Sequence, residues 1–232
     1  MRAAILYNAG RMKLIVGVGS NNTLTALRRA EGAKAAGADA ILMVTPYYNK
    51  STQKGLVEHF SYVADRVDIP MILYNVPSRT GVNIEPETYA RLADHPMIAG
   101  IKEANSDISK IVTTASLVAG KLDLYSGNDD QTVPILSLGG KGVISVLSNL
   151  LPAETSKMCR LYFEGDTAGA AALQLKYLPL IHALFSEVNP IPVKAAMAAM
   201  GWCENYLRMP LTPMEDAHKE KLFALMREEG II

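Results

Sequence analysis

Cysteine is scarce: the 232 residues contain two, Cys159 and Cys203. They stand too far apart for a C-x-x-C pair and fall inside predicted helices or at their edges. That pattern fits two inert thiols in a reducing compartment rather than a disulfide framework. The four histidines, His59, His95, His182 and His218, are scattered without H-x-x-x-H spacing or a neighbouring cysteine, so a metal site is not expected. Net charge is missing too. The 23 basic and 23 acidic side chains cancel and are mixed along the chain, which argues against nucleic acid or an anionic membrane as partner. No apolar run reaches the roughly 18 residues that a bilayer-spanning helix needs. The opening "MRAAILYNAGRMKL" is too polar for a signal peptide, so the chain reads as cytoplasmic. Neither a repeat of roughly 20–50 residues nor a low-complexity tract is visible.

What is present is an ample core, with 49% hydrophobic residues, in a length that α/β barrels often fill as one unit of about 200–250 residues. Strand-length apolar runs alternate with helix-period segments. "KLIVGVG" (13–19) reads as a buried strand, followed by a helix whose face carries Leu24, Leu27, Ala30 and Ala35 and which stops at Gly37. "ADAILMVTP", "IPMILYNVP", "PMIAGIK", "LDLYSG" and "GKGVISV" read as further strands. Between them stand helices with Leu56, Phe60 and Val63 on one face, with Pro86 in a first turn, and with Ser106 as N-cap. "DQTVPILSLGG" reads as the helix between the last two strands. From about residue 151 only helices follow.

Alternating strands and helices imply a parallel sheet with right-handed crossovers. The runs are continuous, as for strands covered on both faces. Polar or glycine positions follow nearly every strand: "GVGSNN", "TPYYN", "YNVPSRTG", "KEAN", "SGND" and "VLSN". In an open sheet only the switch-point crevice would be so equipped, whereas a (β/α)8 barrel opens all its strand ends onto one mouth. The barrel is favoured, with about six βα units. Residues 1–150 then form an incomplete (β/α)8 barrel, and 151–232 the last barrel helix and a C-terminal helical region.

Lys102 ends the run "MIAGIK". A lysine raised from a buried strand into an apolar mouth loses its proton more readily and becomes a nucleophile towards a carbonyl; it otherwise emerges into solvent or pairs with Glu103. Tyr74 in "ILYNVPSRTG" either shuttles protons or packs its ring on the core. Arg79 lies in a Pro/Ser/Gly loop where a guanidinium can grip a carboxylate or simply be solvated. Tyr47 and Tyr48, adjacent in a loop, suit an interface or a lid. "GVGSN" lacks the G-x-G-x-x-G pattern and the P-loop Lys-Ser pair, so no nucleotide is expected.

The ordered motifs "VTPYYNK", "YNVPSRTG", "GIKEAN", "YSGND" and "GGKGVISV" closely resemble the dihydrodipicolinate synthase (4-hydroxy-tetrahydrodipicolinate synthase) family. The likeness runs from about residue 11 to the C-terminus and includes "NPIPVK" and "LRMPLTP". It implies a (β/α)8 TIM barrel with extra C-terminal helices, usually a homotetramer built as a dimer of dimers. The implied activity is a Schiff-base lyase of lysine and diaminopimelate biosynthesis, condensing pyruvate with aspartate semialdehyde. It needs no cofactor beyond the covalent lysine–pyruvate imine. By the same resemblance Lys102 forms the imine, Tyr74 relays protons and Arg79 holds the aldehyde substrate's carboxylate. Gly127 and Ile144 line the pyruvate pocket through their backbone, and Tyr48 reaches into a neighbouring subunit's relay. Asn21 and Tyr47 match positions where feedback lysine binds in some members, although Thr25 stands where that subset has glutamate. "SGND" differs from the usual "SGDD" at Asn128.

The family also begins with two further βα units, whose second strand ends in a "GTTGE" signature, whereas "MRAAILYNAGRMKL" resembles the tail of the second helix. Three alternatives stay open on sequence. N-acetylneuraminate lyases and 2-keto-3-deoxy sugar-acid aldolases share the lysine and tyrosine, but "PSRTG" suits a smaller substrate. An inactive truncated homologue would keep only an interaction role.

Overall fold

The computed structural model describes residues 1–232, which pack as two compact units: Met1–Gly127 with Leu138–Lys141, and Asn128–Ser137 with Gly142–Ile232. The first unit alternates helix and strand: α1 (Arg2–Asn8), β1 (Ile15–Gly17), α2 (Thr23–Ala35), β2 (Ala40–Val44), α3 (Gln53–Val67), β3 (Met71–Asn75), α4 (Pro77–Thr80), α5 (Pro86–Leu92), β4 (Ile98–Glu103), α6 (Ile108–Val118) and β5 (Asp123–Ser126). Its strands lie side by side in sequence order and are all parallel. Ile41, Met43, Met71, Leu73 and Ile101 are fully buried, each contributing about 1.5–3 kcal/mol by leaving water. No helix in the chain is long and apolar enough to cross a membrane.

Several local expectations change. The helix stripe on α2 is Ala26, Ala30 and Ala33, all buried, whereas Leu24 is 55% exposed and Ala35 also faces water. Three alanines at i, i+4 and i+7 allow a close approach that leucine would hold apart. The N-cap of α6 is Asp107, not Ser106: its carboxylate accepts from the Ser109 and Lys110 amides, and a charged acceptor suits a helix start. Arg79 stands on the short helix α4, not in an open loop. Pro77 begins that helix, and Gly81 ends it in the left-handed region at φ 74, where glycine carries no Cβ penalty. Coverage on both faces holds for β3, but β2 alternates between buried and half-buried residues and Ile15 on β1 is 46% exposed.

The second unit opens with a 3-10 turn (Asp129–Gln131) leading into α7 (Thr132–Ser137), then carries β6 (Gly142–Val143), α8 (Pro152–Phe163), α9 (Thr167–Leu184), α10 (Ile191–Ala199) and α11 (Asp216–Glu228). β6 is much shorter than the run "GKGVISV" suggested. The reason is Asp129, buried, whose Oδ2 accepts the amides of Val146 (2.8 Å) and Leu147 (3.1 Å). Those two N–H groups leave any strand ladder and turn the chain into a 3-10 turn, Leu147–Asn149. Gln174 of α9 locks the same corner, donating to the Asp129 carbonyl and accepting from the Val133 amide. Leu147, Tyr177, Ile181, Ala196 and Leu222 anchor this unit's own core.

His59 ties α3 to α2, its Nδ1 hydrogen-bonded with the Thr23 hydroxyl at 2.8 Å. Burial pushes the imidazole down to about 4. Between the free value of about 6.5 and that value, the unfolded chain binds a proton that the folded chain refuses, so stability falls as the pH falls. The wild type is therefore expected to lose about 2 kcal/mol relative to a His59→Gln variant between pH 7 and pH 5. Urea unfolding of both proteins at the two pH values measures this, and a difference independent of pH would contradict it.

Candidate active site

Parallel pairing places residues at matched register on the same face of a sheet. One such row at the carboxyl ends of the strands is Val44, Tyr74, Lys102 and Tyr125, running across β2, β3, β4 and β5. All four are half-buried. The row depends on an irregularity. Met71 pairs with Ile98, but Ile72 pairs with Gly100, so β4 carries one extra residue, Ala99. Without this bulge the count from Met71 would set Tyr74 opposite Ile101, and Lys102 would lie one step out of reach.

The Lys102 ammonium nitrogen lies 4.2 Å from the centroid of the Tyr74 ring. Lys102 is thus neither out in bulk solvent nor remote from the phenol. Burial raises the Tyr74 phenol above its usual range, and the positive charge of Arg79 pulls it back down. Arg79 itself is exposed, on a helix whose Thr80 hydroxyl bonds to the carbonyls of Val76 and Val82. A cavity of about 390 Å³ opens beside these residues, lined by Gly17, Gly19, Val44, Tyr47, Tyr74 and Arg79 among others. Gly19 is required there: a Cβ would come within 2.5 Å of the Val44 side chain and 2.7 Å of its amide.

The remaining candidates fall in different places. Tyr47 lines that cavity. Tyr48 is 91% exposed and held in the left-handed region at φ 70, a conformation uncommon for a bulky residue. The Asn21 carbonyl accepts from the Asn49 side chain, bringing the start of α2 to the loop of Tyr47 and Tyr48. Gly127 follows β5, its amide donating to the Glu103 carbonyl at 2.6 Å. Ile144 is half-buried in the second unit, just before the segment that Asp129 turns.

Two features escaped the sequence reading. Tyr125 extends the row beyond Lys102, and its burial also raises its phenol; the signal was there, since "LYSG" and "LYNV" both place a tyrosine one residue before the end of a strand. Glu103 does not serve as a surface partner for Lys102. It lies in the next row, on the opposite face, 2% exposed, and its carboxylate accepts from Asn75, Tyr89 and the Asn105 amide. Burial pushes this carboxyl up to about 7 against those bonds.

A parallel α/β sheet that gathers an amine, two phenols and a guanidinium at its strand ends defines a protein of the barrel-enzyme class, which handles small substrates at that edge. Residues 1–229 match the model of the dihydrodipicolinate synthetase family, and the chain belongs to that family. It is 54% identical to a 4-hydroxy-tetrahydrodipicolinate synthase of Lachnoclostridium phytofermentans, covering 100% of this chain and 79% of the relative. It is 51% identical to the synthase of Alkaliphilus oremlandii, covering 100% and 80%. Among solved structures, dihydrodipicolinate synthase from Thermotoga maritima superposes with a TM-score of 0.98 at 44% identity, over 100% of this chain and 80% of that one. A dihydrodipicolinate synthase variant described as monomeric gives 0.98 at 45%, over 100% and 78%.

The contact at Gly127 yields a direct expectation. A Cβ there would lie 2.7 Å from the Ala104 Cβ and 3.0 Å from the Glu103 carbonyl oxygen. Gly127→Ala should therefore separate the ends of β4 and β5 and cost about 1–3 kcal/mol, read from the denaturant midpoint. An unchanged midpoint would show that the close approach is dispensable.

Proposed function

We propose that this chain acts as a 4-hydroxy-tetrahydrodipicolinate synthase, a lyase that condenses pyruvate with L-aspartate 4-semialdehyde on the route to lysine and diaminopimelate. The observation that carries the residue assignment is the Lys102–Tyr74 pair on adjacent strands, 4.2 Å from amine to ring centroid. The neutral Lys102 amine attacks C2 of pyruvate, and the carbinolamine loses water to give an imine. Loss of a C3 proton gives the enamine, which adds to the aldehyde carbon of the second substrate. The substrate's own amine then closes the ring and releases Lys102. Tyr74 is the group within reach to carry protons in these steps, and no cofactor takes part.

Arg79 lines the same cavity as Tyr74 and holds the semialdehyde's carboxylate through its planar fork. Gly127 and Ile144 offer backbone to pyruvate. Tyr48, turned outward, enters the relay of a second copy of the chain, in a homotetramer built as a dimer of dimers. Asn21 and Tyr47, joined through Asn49, mark where lysine binds as a regulator. The βα units belong to a (β/α)8 barrel through residue 150, followed by the last barrel helix and the C-terminal helices over 151–232, in a cytoplasmic enzyme. The relatives from Lachnoclostridium phytofermentans and Alkaliphilus oremlandii, at 54% and 51% identity, carry the synthase name, which gives no support to the sugar-acid aldolase alternatives.

Two experiments test the assignment. Incubation with pyruvate and borohydride should leave a reduced three-carbon adduct on Lys102, located by mass spectrometry of the digest. A folded wild type without the adduct, or with the adduct on another lysine, would overturn the role. Arg79→Ala should raise KM for aspartate semialdehyde by about 10–100-fold, as expected for a lost charge-assisted pair, while pyruvate trapping continues. Equal loss of both would contradict the assignment.

A further inference from the structure

The face of the sheet turned away from Tyr74 and Lys102 is apolar along most of its length: Leu73, Ile101 and Leu124, matched in register, are all buried. One step further on, the row becomes Asn75, Glu103 and Ser126, each at 2% exposure or less. A carboxyl is an expensive occupant there, because leaving water costs several kcal/mol unless hydrogen bonds replace the hydration. An apolar residue of similar volume would satisfy packing without that cost.

The bonds at Glu103 come from three separate pieces of chain. Asn75 Nδ2, on β3, donates to both carboxylate oxygens at 3.0 and 3.3 Å. Tyr89 Oη, on α5, donates to Oε2 at 2.9 Å, and the Asn105 amide, just beyond β4, to Oε1 at 2.8 Å. The network then spreads to the segment after Arg79. Asn83 Oδ1 accepts from both Asn75 (2.7 Å) and Asn105 (3.1 Å), and the Ile84 amide donates to Asn75 Oδ1. Gln53 of α3 closes it by donating to the Asn83 carbonyl and accepting from the Glu85 amide and the Thr88 hydroxyl.

Asn75 and Glu103 directly follow Tyr74 and Lys102 in the chain, so each pair shares peptide units with the other. Nonpolar packing tolerates small slides between strands, whereas hydrogen bonds of fixed direction do not. We propose that Glu103 is a positioning residue: its buried carboxylate clamps the carboxyl ends of β3 and β4 from behind the sheet and holds the Lys102 amine against Tyr74. This rests on the reading of Lys102 as the imine-forming residue.

Glu103→Gln preserves the clamp. Its carbonyl oxygen keeps Asn75 and Asn105, and its amide donates to the Tyr89 oxygen once the phenol turns its own proton away. Glu103→Leu keeps the volume and removes the bonds, and Tyr89→Phe removes one of them. The measurement is the single-turnover rate constant for borohydride-trapped imine formation per folded molecule, well below the melting temperature, with steady-state kcat and pyruvate KM beside it. Glu103→Gln should stay within about 3-fold of wild type. Glu103→Leu should fall by about 10–100-fold in imine formation and kcat with KM within about 3-fold, the scale of loss expected from a reactive group displaced by about 1 Å. Tyr89→Phe should lie between them. A folded Glu103→Leu at the wild-type rate would reduce Glu103 to a stability role and overturn the proposal. So would a Glu103→Gln variant as slow as Glu103→Leu, because charge rather than bonding would then be at work. If Glu103→Leu does not fold, Tyr89→Phe decides, and a wild-type rate in that variant overturns the clamp. A wild type that forms no adduct would instead refute the role of Lys102, and the clamp with it.

Discussion

The site depends on the register between two strands. Tyr74 and Lys102 are neighbours because β4 carries one residue more than β3 between Ile98 and Gly100. A side chain alternates faces at every residue, so removing that bulge would send Lys102 out of the row it shares with Tyr74 and Tyr125. Gly100 belongs to the same device: a Cβ there would lie 2.7 Å from the Asp123 carbonyl, so the strand just past the bulge has to approach β5 without a side chain.

The two faces of these strands do different physical work. One carries the amine beside the phenol, and Tyr74 lines a cavity where burial and the Arg79 charge act on its hydroxyl in opposite directions. The other is sealed, and there a single carboxyl collects bonds from β3, α5 and the turn after β4. Functional groups at the open face need exposure to substrate, which weakens their own anchoring. The closed face supplies the rigidity that the open one lacks. Asp129 turns the chain after β6 by the same kind of chemistry, a buried carboxylate taking two backbone amides out of a strand ladder.

Much of this was legible in the linear pattern, for identifiable reasons. Continuous apolar runs such as "IPMILYN" reveal covered strands, and polar residues after each run reveal the functional edge, so Lys102, Tyr74 and Arg79 could be named as candidates. Their pairing could not, since "PMIAGIK" contains no mark of the extra residue at Ala99. The shortness of β6 was equally hidden, because the carboxylate that ends it sits 17 positions upstream of Val146. On α2 the apolar leucine drew attention away from the alanines that make the close contact. The role of Glu103 was hidden in the same way: its neighbour in sequence is a lysine, whereas its side-chain partners in space, Tyr89 and Asn75, are 14 and 28 residues away.

The most direct test is a crystal structure of the protein soaked with pyruvate. The account predicts continuous density from Lys102 Nζ to C2 of the bound three-carbon unit, with the Tyr74 hydroxyl within about 2.6–3.2 Å of it. Pyruvate held without a covalent bond, or bound to Lys102 with the Tyr74 hydroxyl turned away, would contradict it.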